Sequence, residues 1–574
     1  MSTLWNSEVI VCLAERIRSN KKTWFWEDDG QGNPQPLAKD QILNIFKDFF
    51  PVIGIYNLLE SNSRGVPELQ PVFLYEHRVQ QISPTQVETL TRTVLNAAGF
   101  SRIPETFHFK RSAIFSKNSL ISLPLLPDME HMRDEKDSSY RFFRNGYVKI
   151  TSDHVTEAQP YNTLPYNALI WHDQAIPRDY HPPAAEISEN VDTHFRDFVE
   201  NLSRTDDGDL DPYALERIKT VIGYMCHRFH NDSKRKAVIL IDRQSDDNPM
   251  GKSNGGTGKS LLIRCLRSIL SIHDISGKEF KKASYDKFAL AGVQESHELV
   301  CFDDASDSFD FERIFPHITG AFHIRRARMD PTSIPADRAP KIVVTTNHPI
   351  KGSDTSHRRR QIVVEISPFY RKLLENDGTT PADLHGGMEL CGDDWSDSDW
   401  CEFYRFVFEC IQQYLRKGLP RGSFESQWYR RTRLINQYGS SQLLDEVLNI
   451  LEEAADSGEE WFCEQLYQRI RQSFPSSPQQ DTNFLSLLKD TAADFGYVFN
   501  AHKNGDIDKV RLSEDRWSRW NALGLSSISK KIGTPYEKDD RVSVFQITRS
   551  ASDSTQLPPS DSALHESLER SYRE

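Results

Sequence analysis

The feature that most constrains this chain is a buried-strand signal, AVILID (237–242), followed by the cluster GGTGKS (255–260) and the run SLLIRCLRSIL (260–270). An apolar run without polar alternation predicts a strand covered on both faces. In the last run Leu261, Cys265 and Ile269 recur at helical spacing. Between them, Gly255, Gly256 and Gly258 allow backbone N–H groups to close around an anion at the N-terminus of a helix. Strand, glycine turn and helix in that order predict a phosphate-binding loop.

The tripeptide Gly-Lys-Ser occurs twice, at 251–253 and 258–260. The first copy runs into Asn-Gly-Gly, which cannot continue a helix, so Lys252 is expected to be dispensable for nucleotide hydrolysis. The second copy has the glycines before it and the helix after it. The nucleotide-binding set is therefore Gly255, Gly256, Thr257, Gly258, Lys259, Ser260 and Leu261. Lys259 is the expected contact to the β- and γ-phosphates of ATP, and Ser260 the expected Mg²⁺ ligand. Two details depart from the usual G-x-x-x-x-G-K-[S/T] pattern: Ser253 stands where glycine is common, and the approach from Asp242 is long.

Two more buried-strand runs supply polar groups at their ends. ELVCFDD (298–304) ends in Asp303 and Asp304, and KIVVTTN (341–347) ends in Asn347. Asp303 is assigned to the Mg²⁺ shell and Asp304 to water activation. An amide at the position of Asn347 can orient the attacking water, although an isolated Asn there also suits a turn or helix cap. HRRR (357–360) and a fourth strand, QIVVEIS (361–367), follow. Arg358 or Arg359 is a candidate arginine finger; a solvated basic turn is the alternative.

The remaining sequence bounds the rest. No stretch of the 574 residues approaches the roughly 18 apolar residues of a membrane span. Eight cysteines with no C-x-x-C spacing and no Cys/His cluster argue for buried thiols in a reducing compartment. The net charge of −13 means that nucleic acid must be met by local basic patches. Glu8 and Glu15 interrupt the apolar start, which reads as an amphipathic helix and not a leader.

The three motifs and the arginines resemble superfamily 3 helicases, in particular the ATPase part of phage and plasmid primase-helicases. ITGAFHIRRARMDPTSIPADRAPKIVVTTNHP (318–349) is similar to that family's hairpin region. The resemblance implies an AAA+-like P-loop core in an α/β fold and a homo-hexameric ring on single-stranded DNA. It further implies DNA contacts from Arg325, Arg326 and Arg328, a finger reaching a neighbour's ATP, and the cytoplasm of a bacterial or phage-infected cell. Residues 1–190 show no primase-like D-x-D with a partner His, so priming is expected from a separate protein.

On this reading 1–190 is an α+β domain of unknown role, 191–235 a helical collar, 236–372 the core and 373–420 a helical extension. Residues 421–515 form a helical domain, either winged-helix-like with a hairpin at 497–513 or a plain helical cap, and 516–574 end in a disordered tail. Two rivals remain: a non-translocating P-loop switch or scaffold in a replication-initiation or defence complex, and a small-molecule kinase.

Overall fold

Apolar runs that lack polar alternation must be covered on both sides, and in the computed structural model they form one five-stranded parallel sheet. Its strands are β1 (Ala237–Asp242), β2 (Ile272–Ser276), β3 (Leu299–Ala305), β4 (Lys341–Thr346) and β5 (Gln361–Ile366). The order is β2-β3-β4-β1-β5, so β4 is inserted between the strands that lead to Lys259 and Asp303. Every residue of β1, β4 and β5 is buried. β2, reading IHDIS, has no apolar run to announce it and lies at a sheet edge.

The structure describes residues 5–27, 34–61, 67–182, 194–230, 235–243, 255–280, 287–328, 331–352, 355–420, 425–474, 481–503, 505–525, 528 and 535–549. Lys252, Ser253 and the C-terminal tail fall outside them. The chain divides into two units. One comprises Met1–Arg243, Ser253–His348 and Arg359–Phe424, the other Gln244–Lys252, Pro349–Arg358 and Glu425–Glu574. Among the described residues, no helix is long and apolar enough to cross a membrane.

In the first unit, helices α1 (His194–Asn201), α2 (Pro212–Cys226), α3 (Lys259–Leu266) and α4 (Asp397–Lys417) cover the sheet. Phe195, Phe198, Ile222, Val238, Leu262, Phe403 and Val407 share one core. The ends of these helices follow from local sequence. Asp211 caps α2 by accepting from the amides of Tyr213 and Ala214 at 2.9 and 3.1 Å. Ser396 and Asp399 form a capping box on α4, which stops at Gly418 with φ 67°. Gly223 lets α2 lie against the α4 backbone, because a Cβ there would collide with the Cys410 carbonyl.

The same unit holds an N-terminal α+β portion. Helix Ser7–Ser19 is capped by Asn6 and packs on helix Pro84–Ala97. A separate five-stranded sheet runs in the order Ile55–Ser61, Pro67–Tyr75, Arg78–Gln81, Ala168–Trp171, Glu130–His131. The GYVKIT run forms a strand, Gly146–Thr151, antiparallel to Ser138–Phe143.

In the second unit, helices Gln427–Tyr438, Ser441–Ser457, Cys463–Ser473 and Asp481–Asp494 surround an apolar core. The hairpin expected within 497–513 does not form. Tyr497–Phe499 and Asp508–Arg511 both pair antiparallel with the later segment 541–549 instead of with each other. The reason lies at Asn500, which is fully buried with φ 44°. Its side chain receives the Gln546 amide at 2.6 Å and donates to the Asp506 carbonyl at 2.7 Å, which ties the chain after Phe499 to the residue between the two later strands.

Candidate active site

The glycine turn leaves the C-terminal end of β1 and enters α3. Gly255, Gly256 and Gly258 have φ of 76°, 75° and 102°, the left-handed region that side chains disfavour. At Gly258 space is also limiting, since a Cβ would sit 2.9 Å from Leu202 Cδ2 and 3.2 Å from Phe198 Cε2. At Gly255 and Gly256 an added Cβ would meet only ordinary contacts, Asn347 Nδ2 at 4.0 Å and Leu374 Cδ2 at 3.9 Å. Thr257 lies within the turn, Lys259 and Ser260 open α3, and Leu261 starts its amphipathic face.

Lys259 is buried, and its ammonium meets three side chains. It contacts the Asp242 carboxylate, donates to Asn347 Oδ1 at 2.9 Å and lies 3.3 Å from Thr257 Oγ1. Thr257 also donates to Asp242. Burial pushes the Lys259 ammonium down to about 7, with Arg371 acting in the same sense and Asp304 and Asp303 against it. The contact with Asp242 opposes burial further and favours the charged form. Asp242 is fully buried at the end of β1, where the sequence shows only the start of the approach to the glycines. Its partnership depends on the chain returning to it 15 residues later, and no local pattern reports that.

β3 carries a bulge at the two aspartates: its register with β4 shifts between Phe302 and Ala305, and Asp304 has φ 53°. Asp303 Oδ1 accepts from Ser260 Oγ at 3.1 Å and from Thr345 Oγ1 at 2.6 Å. Thr345 Oγ1 in turn accepts the Asp304 amide at 2.8 Å. The bulge thus separates the pair: Asp303 turns to α3, while Asp304 is exposed and forms an ion pair with Lys278. Ser260 and Asp303 juxtapose two oxygen donors of the kind a hard divalent cation takes. Among the described residues no cluster of three His, Cys, Asp or Glu side chains could hold a metal unaided.

The arginines have different surroundings. Phe322–Ile324 and Thr332–Ile334 form a two-stranded antiparallel hairpin between β3 and β4. Arg325 and Arg328 are exposed in its turn, and Arg328 has φ 59°. Arg326 braces the hairpin, donating to the carbonyls of Ala291 and Val293 at 3.0 and 2.9 Å and to Thr332 Oγ1 at 3.0 Å. Arg358, in the second unit, is ion-paired with Asp494. Arg359 is exposed, and Arg360 lies over the Phe315 ring.

No protein-family model and no curated protein sequence matches this chain. Among solved structures it is similar to the apo A form of the NrS-1 C-terminal region, with 13% identity and a TM-score of 0.37 over 88% of this chain and 99% of that one. It is also similar to JCV helicase, with 13% identity and a TM-score of 0.21 over 46% of this chain and 66% of that one. Superpositions this loose carry no argument about function, which rests on the side chains themselves.

Proposed function

We propose that this chain is a P-loop ATPase of AAA+-like topology that works as a helicase or translocase on single-stranded DNA. One observation carries the reading. Lys259, immediately after the glycine turn, hydrogen-bonds the Asn347 amide, while its neighbour Ser260 bonds Asp303, so the ends of three adjacent strands converge on one helix N-terminus. That is the set of groups an ATP hydrolase needs at one point.

The residues fit Mg²⁺-ATP. The left-handed Gly255, Gly256 and Gly258 suit a backbone that curls around an anion, and the Ser260–Asp303 pair suits the metal. When bound, Mg²⁺-ATP supplies the phosphoanhydride and its Lewis acid. Lys259 and the Gly255–Gly258 amides would hold phosphate oxygens, and Leu261 would seat α3. Asn347 would orient water through its amide. Asp304 would take the water's proton, which requires its ion pair with Lys278 to open first. Arg359, exposed beside β5, is the better placed of the two candidate fingers, because Arg358 is engaged by Asp494. Exposed Arg325 and Arg328 on the hairpin turn would meet DNA phosphates, with Arg326 holding the hairpin's base. A homo-hexamer is the assembly in which a finger in trans and a central hairpin act together, and priming would come from a separate protein.

The test is DNA-stimulated ATP hydrolysis by Lys259→Ala, which should fall to background; retained hydrolysis ends the assignment. A second reading is a non-translocating ATPase switch. It is favoured by the brace that Arg326 makes with Ala291 and Val293, which ties the hairpin to its own subunit. Hydrolysis without strand displacement on a forked duplex would select it.

A further inference from the structure

The parallel sheet has a second polar end. A cavity of about 520 Å³ opens at the N-terminal ends of β4, β1 and β5, where Lys341 starts β4, Lys236 precedes β1 and Arg359 precedes β5. A six-residue strand spans about 20 Å, so this cavity is remote from Lys259 at the other end of β1. Its volume lies in the range of roughly 300–1,000 Å³ typical of small-molecule sites.

Its charge is unbalanced. Lys136, Lys341 and Arg359 line it and form no ion pair with a described residue; Asp137 is the one carboxylate among the described lining residues. The buried Lys341 ammonium donates to the carbonyls of Tyr224 (2.5 Å) and His227 and lies 3.8 Å from the centroid of the Tyr224 ring. The C-terminal ends of α2 and α4 also face the cavity through Tyr224 and Tyr414, and each contributes a partial negative charge of about one half. Burial brings the Lys341 ammonium down to about 7, so Lys136 and Arg359 carry most of the cationic character, and the lining keeps a positive excess of roughly one half to one charge.

The walls specify more than an anion. Phe229 and Tyr414, both half-buried, supply flat aromatic surface, backed by the buried rings of Tyr224 and His227. His227 is 2% exposed, and its Nδ1 has no hydrogen-bond partner among the described residues, while Nε2 meets the Glu135 carbonyl at 2.9 Å. Burial lowers the pKa of this ring, which favours the neutral form. With Nε2–H donating to Glu135, Nδ1 is an acceptor that lacks a donor. A hydroxyl or amino group on the ligand would supply it, and inorganic phosphate lacks the ring that the aromatic walls would hold.

We propose that this cavity is a second ligand site, taking a nucleoside phosphate at the sheet edge opposite Lys259. The phosphate meets Lys136 and Lys341 in the field of the nearby Arg359, and the nucleoside lies against Phe229 and Tyr414 with a donor to His227 Nδ1. The site stands whether or not Lys259 serves hydrolysis.

The experiment is calorimetric titration of the full chain carrying Lys259→Ala with ADP, with pyrophosphate and with a short oligothymidylate. One ADP per chain should remain bound, at least tenfold more tightly than pyrophosphate. Lys136→Glu, at an exposed position, should weaken that binding at least tenfold, and Lys136→Gln by less. Absence of ADP binding, or ADP binding indifferent to Lys136→Glu, overturns the site. Equal affinity for pyrophosphate and ADP overturns the nucleoside part. Binding of oligothymidylate but not ADP would make the cavity part of a nucleic-acid path and reject the proposal. None of these outcomes depends on the ATPase assay, so failure here is distinguishable from failure of the proposed hydrolase.

Discussion

Lys259 Nζ and Asn347 Oδ1 lie 2.9 Å apart, although 88 residues separate them in the chain. Insertion of β4 between β3 and β1 makes the contact possible, because it sets the end of β4 beside the glycine turn. An amide held there by a lysine is fixed in orientation, with its Nδ2 group about 4.0 Å from a Cβ built on Gly255.

Asn347→Ala should therefore leave nucleotide binding within a few-fold of wild type and lower kcat by about 10²–10³, the usual loss for one pre-organised polar group. Asn347→Asp should instead weaken binding, since it places a carboxylate where an anion must sit. Steady-state hydrolysis with a parallel fluorescent-nucleotide titration separates the two effects. Equal losses in affinity for both variants would contradict an orienting role.

The left-handed Gly258 gives a steric prediction. Gly258→Ala adds a Cβ against Leu202 and Phe198 and forces an unfavourable φ of 102°. The strain alone should cost roughly 1–3 kcal/mol. Because the clash lies between the glycine turn and α1, nucleotide affinity should fall with stability. Gly256→Ala meets only the backbone penalty and should cost less in a urea titration.

Asp242 is the buried anion that accompanies Lys259. Removing one member of such a pair leaves the other uncompensated, which typically costs about 3–5 kcal/mol. Asp242→Ala should show a loss of that order in urea unfolding, and adding Lys259→Met should recover most of it. A double variant as unstable as Asp242→Ala alone would show that the aspartate acts through Thr257 and not through the lysine.

The residues that were readable in the sequence are those whose chemistry is local. β1 and β4 announce themselves because both faces are apolar, and α3 because Leu261, Cys265 and Ile269 repeat at helical spacing. Asp303 and Asn347 stand out as polar groups ending such runs. Asp242 is not legible because its partners Thr257 and Lys259 stand 15 and 17 residues further along the chain, and β2 because His273 and Asp274 break any apolar pattern at an edge. The brace made by Arg326 depends on carbonyls some 35 residues earlier, so basic composition alone suggested a surface role. The hairpin that one of the two readings placed at 497–513 does not form for a similar reason: Asn500 binds Gln546, between the two later strands.

A pH dependence follows from His131, which stacks on Trp171 with ring centroids 4.6 Å apart. Burial, assisted by Arg228, Arg338 and Arg133, pushes its pKa down to about 3. An unfolded chain binds that proton near 6.5, so between these values the unfolded state holds more protons than the folded one. Stability from this group is complete above about 6.5 and declines as the pH falls toward 3. His131→Phe keeps the aromatic stack and removes the titration. Between pH 7.5 and 5.5 the wild type should lose roughly 1 kcal/mol more than this variant in urea unfolding. Carboxylates titrate alike in both chains, so the difference isolates the histidine. Parallel pH profiles would mean that the folded ring takes up its proton as readily as the unfolded one.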